Sequence, residues 1–312
     1  LGGGKVDERS SEIALIHKAQ AQNLKKEQRR QSFWVAWMWL FGLITVSILI
    51  LVVGYVLLEG GMAINWDFLT TPPKGGLSGE GGISTTIGTT FYLVGLTLLI
   101  ATPLGIGAAI FLIEYAGEQS LGSKTLQAMI SVANFAVETL AGIPSIIFGL
   151  FGYALFVSTL KFGFSLLSAA LAGACLVLPT IIRTTEEALL AVPDDYRRGS
   201  LALGATKWQT LYRVVLPAST PGIITGIILS VGRVISETAI FYVTLGGSYR
   251  MPTSIMDSGR TLALHLYYLA MDTRAFDKAM GTGAVLVVMI ILINLLIDFV
   301  SRKLTAGVRK VR

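Results

Sequence analysis

Three charged residues occur inside long apolar segments of the sequence, where they could attract or repel an ion. Glu138, Arg233 and Glu237 each lie away from the ends of a segment long enough to cross a membrane. A charge at the bilayer centre costs about 2.5–3.5 kcal/mol or more unless it is paired or hydrated, so such residues usually line a pathway. Arg233 and Glu237 are four positions apart, which predicts that they share a helix face. The alternative is a salt bridge that only locks a helix bundle.

A proline and several hydroxyl groups accompany these charges. Gly142-Ile143-Pro144 follows Glu138, and proline removes a backbone hydrogen bond, which predicts a kink in this helix. Irregular backbone at membrane depth is tolerated where protein or a water-filled cavity covers it. The planar guanidinium of arginine suits an oxyanion, and hydroxyl groups can add further donors. The candidate substrate pathway therefore comprises Arg233, Glu237, Glu138, Thr238, Ser145 and Thr139.

Little else in the sequence could carry chemistry. Cys175 is the single cysteine, so a disulfide or a thiolate metal site within the chain is excluded. No nucleophile–base pair or His-rich cluster is visible in any apolar segment. The glycines before Lys124 have roughly P-loop spacing, but they follow a membrane helix instead of a strand. We therefore expect no catalytic residue, no metal site and no cofactor on this chain, and any ATP must be bound by another subunit.

The elements that must position these residues are membrane helices. Of the 312 residues 53% are hydrophobic and 14% are charged, whereas about a quarter of a soluble domain is charged. This excludes a water-soluble globule and a disordered chain. A bilayer is spanned by roughly 20 apolar residues. The predicted fold is an all-α integral membrane protein with six transmembrane helices near Phe33–Leu58, Thr86–Ile113, Leu126–Val157, Ser165–Ile182, Ala218–Val243 and Gly283–Ser301.

The basic residues predict the orientation of these helices. Most of the 25 Lys and Arg residues lie before the first helix, between the fourth and fifth, or after the sixth. The positive-inside rule places these segments, and thus both termini, in the cytoplasm. The net charge of +6 therefore records orientation beside membrane lipid and indicates no nucleic-acid partner. The predicted parts are a cytoplasmic arm at 1–32, a membrane domain at 33–301 with an outer loop at 59–88 and a cytoplasmic loop at 183–217, and a basic tail at 302–312.

The large cytoplasmic loop contains helix signals. Asp194-Asp195 can cap a helix at its positive end, and Gly204 can end that helix in a left-handed conformation. A second short helix, Lys207–Val215, is expected to open with a capping box at Thr206 and to close at Pro217. Two short helices would then lie across the membrane surface, either as a connector or as a docking surface.

Part of this loop resembles a known coupling element. The segment Arg198-Gly199-Ser200-Leu201-Ala202-Leu203-Gly204-Ala205-Thr206, followed by Val214-Val215-Leu216-Pro217, resembles the EAA loop of ABC-importer permeases. In that family the loop docks into a groove on a cytoplasmic ATPase. Arg198-Gly199-Ser200 stands where the family has Glu-Ala-Ala. The resemblance implies ATPase contacts for Arg198, Gly199, Leu203, Gly204, Ala205, Thr206 and Trp208.

Two membrane segments are similar to those of phosphate-importer permeases. Glu138–Gly152 resembles their signature, and Gly232–Ala239 is similar to their Gly-Arg-x-x-Gly-Glu-Thr motif, with Ser236 in place of the second glycine. Thr102–Gly105 and Arg260–Ala263 resemble the A-type of the two permease subunits. The resemblance implies the type I ABC-importer permease fold and a location in the bacterial plasma (inner) membrane.

The same resemblance implies a set of partners and a mechanism. The partners are a second permease subunit, in a heterodimer, a cytoplasmic ATPase dimer that binds ATP and Mg, and an external phosphate-binding protein. Phosphate would cross by alternating access. Two other functions stay open at this point: a permease for another oxyanion such as molybdate or sulfate, and a secondary carrier or channel that works alone. A membrane-embedded enzyme is a weaker third, because no reactive pair is visible.

Overall fold

The computed structural model describes residues 3–75, 79–115 and 124–309, and most of these residues are helical. In this part of the chain five helices are long and apolar enough to cross a membrane, and a bent pair of helices could supply a sixth crossing. The predicted all-α membrane class is confirmed. The glycine-rich part of the predicted loop before Lys124 lies outside the described residues. The chain divides into two units, Leu1–Tyr55 and Val56–Arg312.

The first unit consists of the greater part of one long helix. Helix α1 runs from Gly3 to Ala63, so the predicted arm boundary at residue 32 falls within a continuous helix. The sequence between Lys5 and Phe41 contains neither Gly nor Pro, the two residues that most disfavour a helix interior. The apolar side chains from Phe33 onward are exposed along this helix, as expected where lipid is the solvent.

The second unit contains the remaining helices. They are α2 Trp66–Thr70, α3 Ser84–Ile110, α4 Lys124–Gly142, α5 Ser145–Gly152, α6 Leu166–Leu190, α7 Asp194–Ala202, α8 Lys207–Thr210, α9 Leu216–Ser236, α10 Ala239–Thr244, α11 Leu262–Asp272 and α12 Phe276–Arg309. Short π-helical segments extend α3 at Phe111–Tyr115 and α5 at Tyr153–Thr159, and join α8 to α9 at Leu211–Val215.

Helices α3, α6 and α9 pack together at the centre of this unit, and small residues set their spacing. A Cβ on Gly105 of α3 would lie 2.6 Å from a methyl carbon of Ile181 on α6, and Gly226 of α9 faces Thr184 of α6. Lipid tails are as apolar as leucine, so membrane helices associate through such close backbone approaches instead of through hydrophobic burial. The core of the unit is correspondingly rich in fully buried alanines on α6.

Two of the predicted spans are interrupted. The span Leu126–Val157 is wrong as one helix, because α4 ends at Gly142 and the following helix leaves it at an angle of 109°. Pro144 causes this break: it has no N–H to donate and holds an extended conformation with ψ of 140°. The predicted kink is thereby confirmed. The span Ala218–Val243 is likewise wrong as one helix, since α9 stops at Ser236.

Two further boundaries differ from the sequence prediction. Helix α6 continues past the predicted end at Ile182 to Leu190, so it takes in Arg183. The predicted last span Gly283–Ser301 lies within the longer α12. Hydropathy marks where a span exists better than where its helix ends, because charged side chains can extend a helix beyond the apolar core.

Candidate functional site

The first part of the predicted pathway lies at the break between α4 and α5. Glu138 is in the last turns of α4 with 77% of its side chain exposed, and its carboxylate lies 3.9 Å from the guanidinium of Arg183 on α6. Arg183 also binds Glu186 at 2.9 Å. An ion pair this exposed contributes about 0–1 kcal/mol, so it is not a strong lock. The sequence prediction had placed Arg183 in a loop and had missed both partners.

The two hydroxyl groups at this break differ in their availability. The Thr139 hydroxyl donates to the carbonyl of Phe135 at 2.7 Å, so its proton is already used within the helix. Ser145 is the first residue of α5 and is partly buried. Within the described residues its hydroxyl has no hydrogen-bond partner. Ser145 is therefore the better donor of the two for a substrate.

The second part of the predicted pathway lies at the end of α9. Arg233 is in the last turn of α9 and is exposed, and it makes no ion pair with any residue that the structure describes. Glu237 follows the helix in an extended conformation, with φ of −73° and ψ of 131°. The predicted shared helix face for Arg233 and Glu237 is therefore wrong. The Glu237 carboxylate instead accepts a hydrogen bond from the backbone N–H of Ile240 at 3.3 Å, in the first turn of α10.

Helices α5 and α10 bring the two breaks together. A Cβ on Gly149 of α5 would lie 2.8 Å from Val243 and 3.1 Å from the Ile240 Cα of α10, and a Cβ on Gly152 would lie 3.1 Å from Thr244. The contacts advance in the same direction on both helices, so α5 and α10 run parallel. Their first turns, at Ser145 and at Thr238–Ala239, therefore lie at the same end of the pair. Ser145 and Thr238 thus begin two packed helices at one end, with Glu237 directly before Thr238, whereas Glu138 is held towards α6.

Of the two predicted N-terminal caps of the cytoplasmic loop, the one at Thr206 is present and the one at Asp194-Asp195 is not. Helix α7 begins with Asp194 and Asp195, but its N-cap is Pro193 and no side chain caps its N–H groups, so the predicted cap by these aspartates is wrong. Both carboxylates lie in the first turn, at the positive end of the helix dipole. Gly204 after the helix has a φ of +85°, the left-handed conformation that favours glycine. Thr206 and Gln209 form both hydrogen bonds of a capping box at the start of α8. The left-handed Gly204 and the capping box at Thr206 are thus confirmed. Ser200 and Thr210 join the two helices through their hydroxyl groups at 2.9 Å.

The predicted end of the second loop helix is wrong. This helix does not end at Pro217, because the π-helical segment Leu211–Val215 joins α8 to α9. Pro217 lies directly after this segment, at the second residue of α9, and the helix continues through it. Helix α8, the π-helical segment and α9 are thus continuous, so a movement of α8 can pass directly into the helix that carries Arg233.

The residues predicted to contact an ATPase form one exposed patch, which we call the coupling surface. Leu203 is 90% exposed and Trp208 is 61% exposed, and the Trp208 ring stacks on Tyr212. Exposed apolar and aromatic side chains at a loop tip mark a site for a protein partner. The coupling surface consists of Arg198, Gly199, Leu203, Gly204, Ala205, Thr206 and Trp208, of which Ala205 alone is partly buried.

Arg197 holds the coupling surface in place, and sequence reasoning missed it. Its guanidinium binds the Glu114 carboxylate at 2.9 and 3.2 Å. It also donates to the carbonyls of Leu189 and Val192 at 2.8 and 2.6 Å, at the end of α6. The only local signal was the spacing to Asp194, three residues earlier, which Arg197 also contacts at 3.4 Å.

Curated relatives match most of the chain. A probable ABC transporter permease protein of Bacillus subtilis, YqgI, is 33% identical over 86% of this chain and 96% of its own length. The phosphate transport system permease protein PstA 1 of Mycobacterium tuberculosis is 34% identical over 72% of each chain. The PstA protein of Mycobacterium leprae is 34% identical over 81% of this chain and 82% of its own.

Solved structures share the fold. A permease chain of the bacterial alginate ABC transporter, solved with a periplasmic protein that holds an alginate pentasaccharide, superposes with a TM-score of 0.63 at 16% identity, over 86% of this chain and 95% of that one. A chain of the inward-facing methionine transporter MetNI gives a TM-score of 0.55 at 22% identity, over 72% of this chain and 94% of that one. The model of the binding-protein-dependent transport system inner membrane component matches residues 103–310. The chain therefore belongs to this family of ABC-importer permeases.

Proposed function

We propose that this chain is the A-type permease subunit of an ATP-driven importer of inorganic phosphate. The observation that carries the proposal is its likeness to relatives named as phosphate permeases, at 34% identity over 72% and 81% of the chain. Charged residues within its membrane segments, of the kind that usually line a pathway, support it. The relatives do not favour the alternatives, a permease for molybdate or sulfate and a lone secondary carrier.

The exposure of Arg233 and Glu138 supports a pathway along the surface of this chain. Arg233 and Glu138 are both exposed on the chain alone. Neither charge can face lipid without a large cost, so each must face water or another protein subunit. A second permease subunit packed against this face, in a heterodimer, would enclose a hydrated path between the two chains. Arg233, Glu237, Glu138, Thr238, Ser145 and Thr139 would line this path.

The coupling surface suggests how ATP hydrolysis would act. It would dock on a cytoplasmic ATPase dimer, which binds ATP and Mg, so this chain needs no cofactor of its own. Because α8 continues into α9, closing the ATPase pair would move the helix that carries Arg233. An external phosphate-binding protein would deliver substrate at the other end. This arrangement would place both termini in the cytoplasm, as the positive-inside rule also predicts.

The mixture of one cation and two carboxylates suggests a basis for selectivity. Phosphate near neutral pH still carries a proton, whereas sulfate does not. A carboxylate can accept a hydrogen bond from the first ion, but it can only repel the second. Arg233 would supply the attraction, and Glu138 or Glu237 would discriminate against the fully ionised anion.

Uptake into proteoliposomes tests this proposal. The complex of this chain with its permease partner and ATPase, supplied with the external binding protein, should import labelled phosphate only with internal ATP. An Arg233→Gln variant that assembles should import little. Phosphate uptake by this chain alone without ATP would support a secondary carrier, and import of molybdate or sulfate in preference to phosphate would reject the substrate.

A further inference from the structure

Arg260 is a buried cation outside the pathway described above. Only 6% of its surface is exposed. Its guanidinium lies between two aromatic rings, 4.2 Å from the centroid of Tyr249 and 4.0 Å from that of Tyr268. Both faces of the guanidinium are thus covered through cation–π contacts, and only its edge can reach another group.

The edge of Arg260 lacks an anionic partner. One terminal nitrogen lies 3.5 Å from Nδ1 of His265, and Nε has no hydrogen-bond partner among the described residues. Burial and then the charges of Arg260 and Lys278 lower the pKa of His265 to about 4, so this ring is neutral near pH 7. The structure shows no carboxylate paired with Arg260 in the part of the chain that it describes. A buried charge without a counter-ion is costly, so this edge is suited to an external anion.

A cavity of about 280 Å³ opens beside Arg260. Lys74, Asp272 and the two tyrosines contribute to its lining. Lys278 holds the neighbouring loop by donating to the carbonyls of Gly79 and Gly81 at 3.0 and 3.4 Å. The cavity therefore combines a cation fixed by packing, an exposed cation at the rim and one carboxylate.

This cavity and the coupling surface lie at opposite ends of α3. Near the start of α3, Thr85 donates to the carbonyl of Tyr249 at 2.9 Å, and the Thr90 hydroxyl accepts from the N–H of Leu262 at 3.0 Å. At the other end Glu114 binds Arg197. The apolar helical segment Ser84–Glu114 has 31 residues, which corresponds to about 45 Å at 1.5 Å per residue. The cavity is thus on the side of the membrane away from the coupling surface.

We propose that this cavity is an oxyanion-binding site that receives hydrogen phosphate before it enters the membrane path. The identity of the ion rests on the proposed function. The Arg260 edge and Lys74 attract the anion, and the tyrosine hydroxyls can add hydrogen bonds. Asp272 accepts a hydrogen bond from an oxyanion that carries a proton and repels one that does not. The cavity therefore selects the same ion as the membrane path, one step earlier.

Calorimetric titration with inorganic phosphate and with sulfate tests this site. The permease–ATPase complex is used without ATP and without the external binding protein, and every sample carries Arg233→Gln so that binding in the membrane path is suppressed. We expect Arg260→Gln and Lys74→Gln each to weaken phosphate binding about tenfold, the loss of one charged hydrogen bond. Asp272→Asn should raise the affinity for sulfate relative to phosphate. Arg274 is an exposed cation that does not line the cavity, so the Arg274→Gln variant should bind phosphate as the parent does.

The variants separate this site from the proposed function. Lys74 and Asp272 are exposed, so their variants report even if Arg260→Gln fails to fold. Unchanged phosphate binding in Lys74→Gln, together with an unchanged ratio of sulfate to phosphate affinity in Asp272→Asn, would overturn the site, whether or not the complex imports phosphate. Arg260-dependent binding of sulfate in preference to phosphate would overturn the selectivity and contradict the proposed substrate. Phosphate import with no measurable binding in the parent would overturn the site alone.

Discussion

Arg197 of α7 and Glu114 at the end of α3 form an ion pair across 83 positions of sequence, with nitrogen–oxygen distances of 2.9 and 3.2 Å. Both side chains are about four-fifths buried. Because Arg197 also binds two carbonyls at the end of α6, one side chain joins the coupling surface to the ends of two long helices. A force applied to α7 would therefore reach α3 and α6 together.

Replacing Arg197 should weaken both stability and coupling. Arg197→Met leaves the partly buried Glu114 carboxylate without its partner, a cost of about 1–3 kcal/mol. Arg197→Lys keeps the charge but loses the forked geometry, so it should rescue only part of the effect. Thermal unfolding of the purified complex and phosphate imported per ATP hydrolysed are the measurements. Arg213 is an exposed cation on the π-helical segment, so Arg213→Gln is the control. Equal losses of stability and of coupling in Arg197→Met and Arg213→Gln would contradict the role of Arg197.

The coupling surface should bind the ATPase through its exposed apolar residues. Leu203→Glu and Trp208→Ala each take away an exposed apolar side chain. Because neither side chain is buried, the fold should persist while ATPase binding weakens about tenfold or more. Recovery of ATPase with the affinity-tagged permease measures this effect. Met256→Ala, exposed in the loop before α11, should recover the parent amount. Undiminished recovery with both coupling variants would place the ATPase contact elsewhere.

The close contact of α5 with α10 should not tolerate a larger residue. In Gly149→Ala the new Cβ would lie 2.8 Å from Val243 and 3.1 Å from the Ile240 Cα, so the helices must separate. Overpacking of this kind costs about 1–3 kcal/mol and should lower the melting temperature. Gly142→Ala is the matched control, since a Cβ there has no neighbour within 4 Å. An unchanged melting temperature for Gly149→Ala would show that the two helices are not tightly packed.

The charge of Glu237 can be tested apart from its structural hydrogen bond. Glu237→Gln keeps an oxygen that can accept from the Ile240 N–H, so α10 should still be capped. Without the negative charge, sulfate is repelled less, and the preference for phosphate over sulfate should fall. Competition of the two anions for uptake measures the preference. If it is the same as in the parent while the variant assembles, Glu237 has no part in selectivity.

Local features of this fold could be predicted from the sequence. The break at Pro144, the capping box at Thr206 and the left-handed Gly204 all follow from the conformational preferences of single residues. Such preferences act within one helical turn, so no knowledge of the tertiary structure is needed. The apolar segments likewise marked the spans, because the bilayer fixes their minimum length.

Other features depend on contacts that a single sequence does not contain. The pair of Arg197 and Glu114 and the stacking of Arg260 both join segments that meet only in the folded bundle. The proline at 217 predicts a helix end, but the π-helical segment before it joins the two helices into one. The extended backbone at Glu237 separated it from the helix face of Arg233, although the spacing of four predicted a shared face.

ATP hydrolysis by the assembled complex tests the central claim most directly. The complex of this chain, its permease partner and the ATPase is reconstituted in lipid, and hydrolysis is measured with the external binding protein, empty or loaded with phosphate. We predict that the phosphate-loaded protein stimulates hydrolysis several-fold and that Arg197→Met reduces this stimulation. No stimulation by phosphate, together with strong stimulation by a binding protein loaded with molybdate or sulfate, would contradict the assignment of phosphate as the substrate.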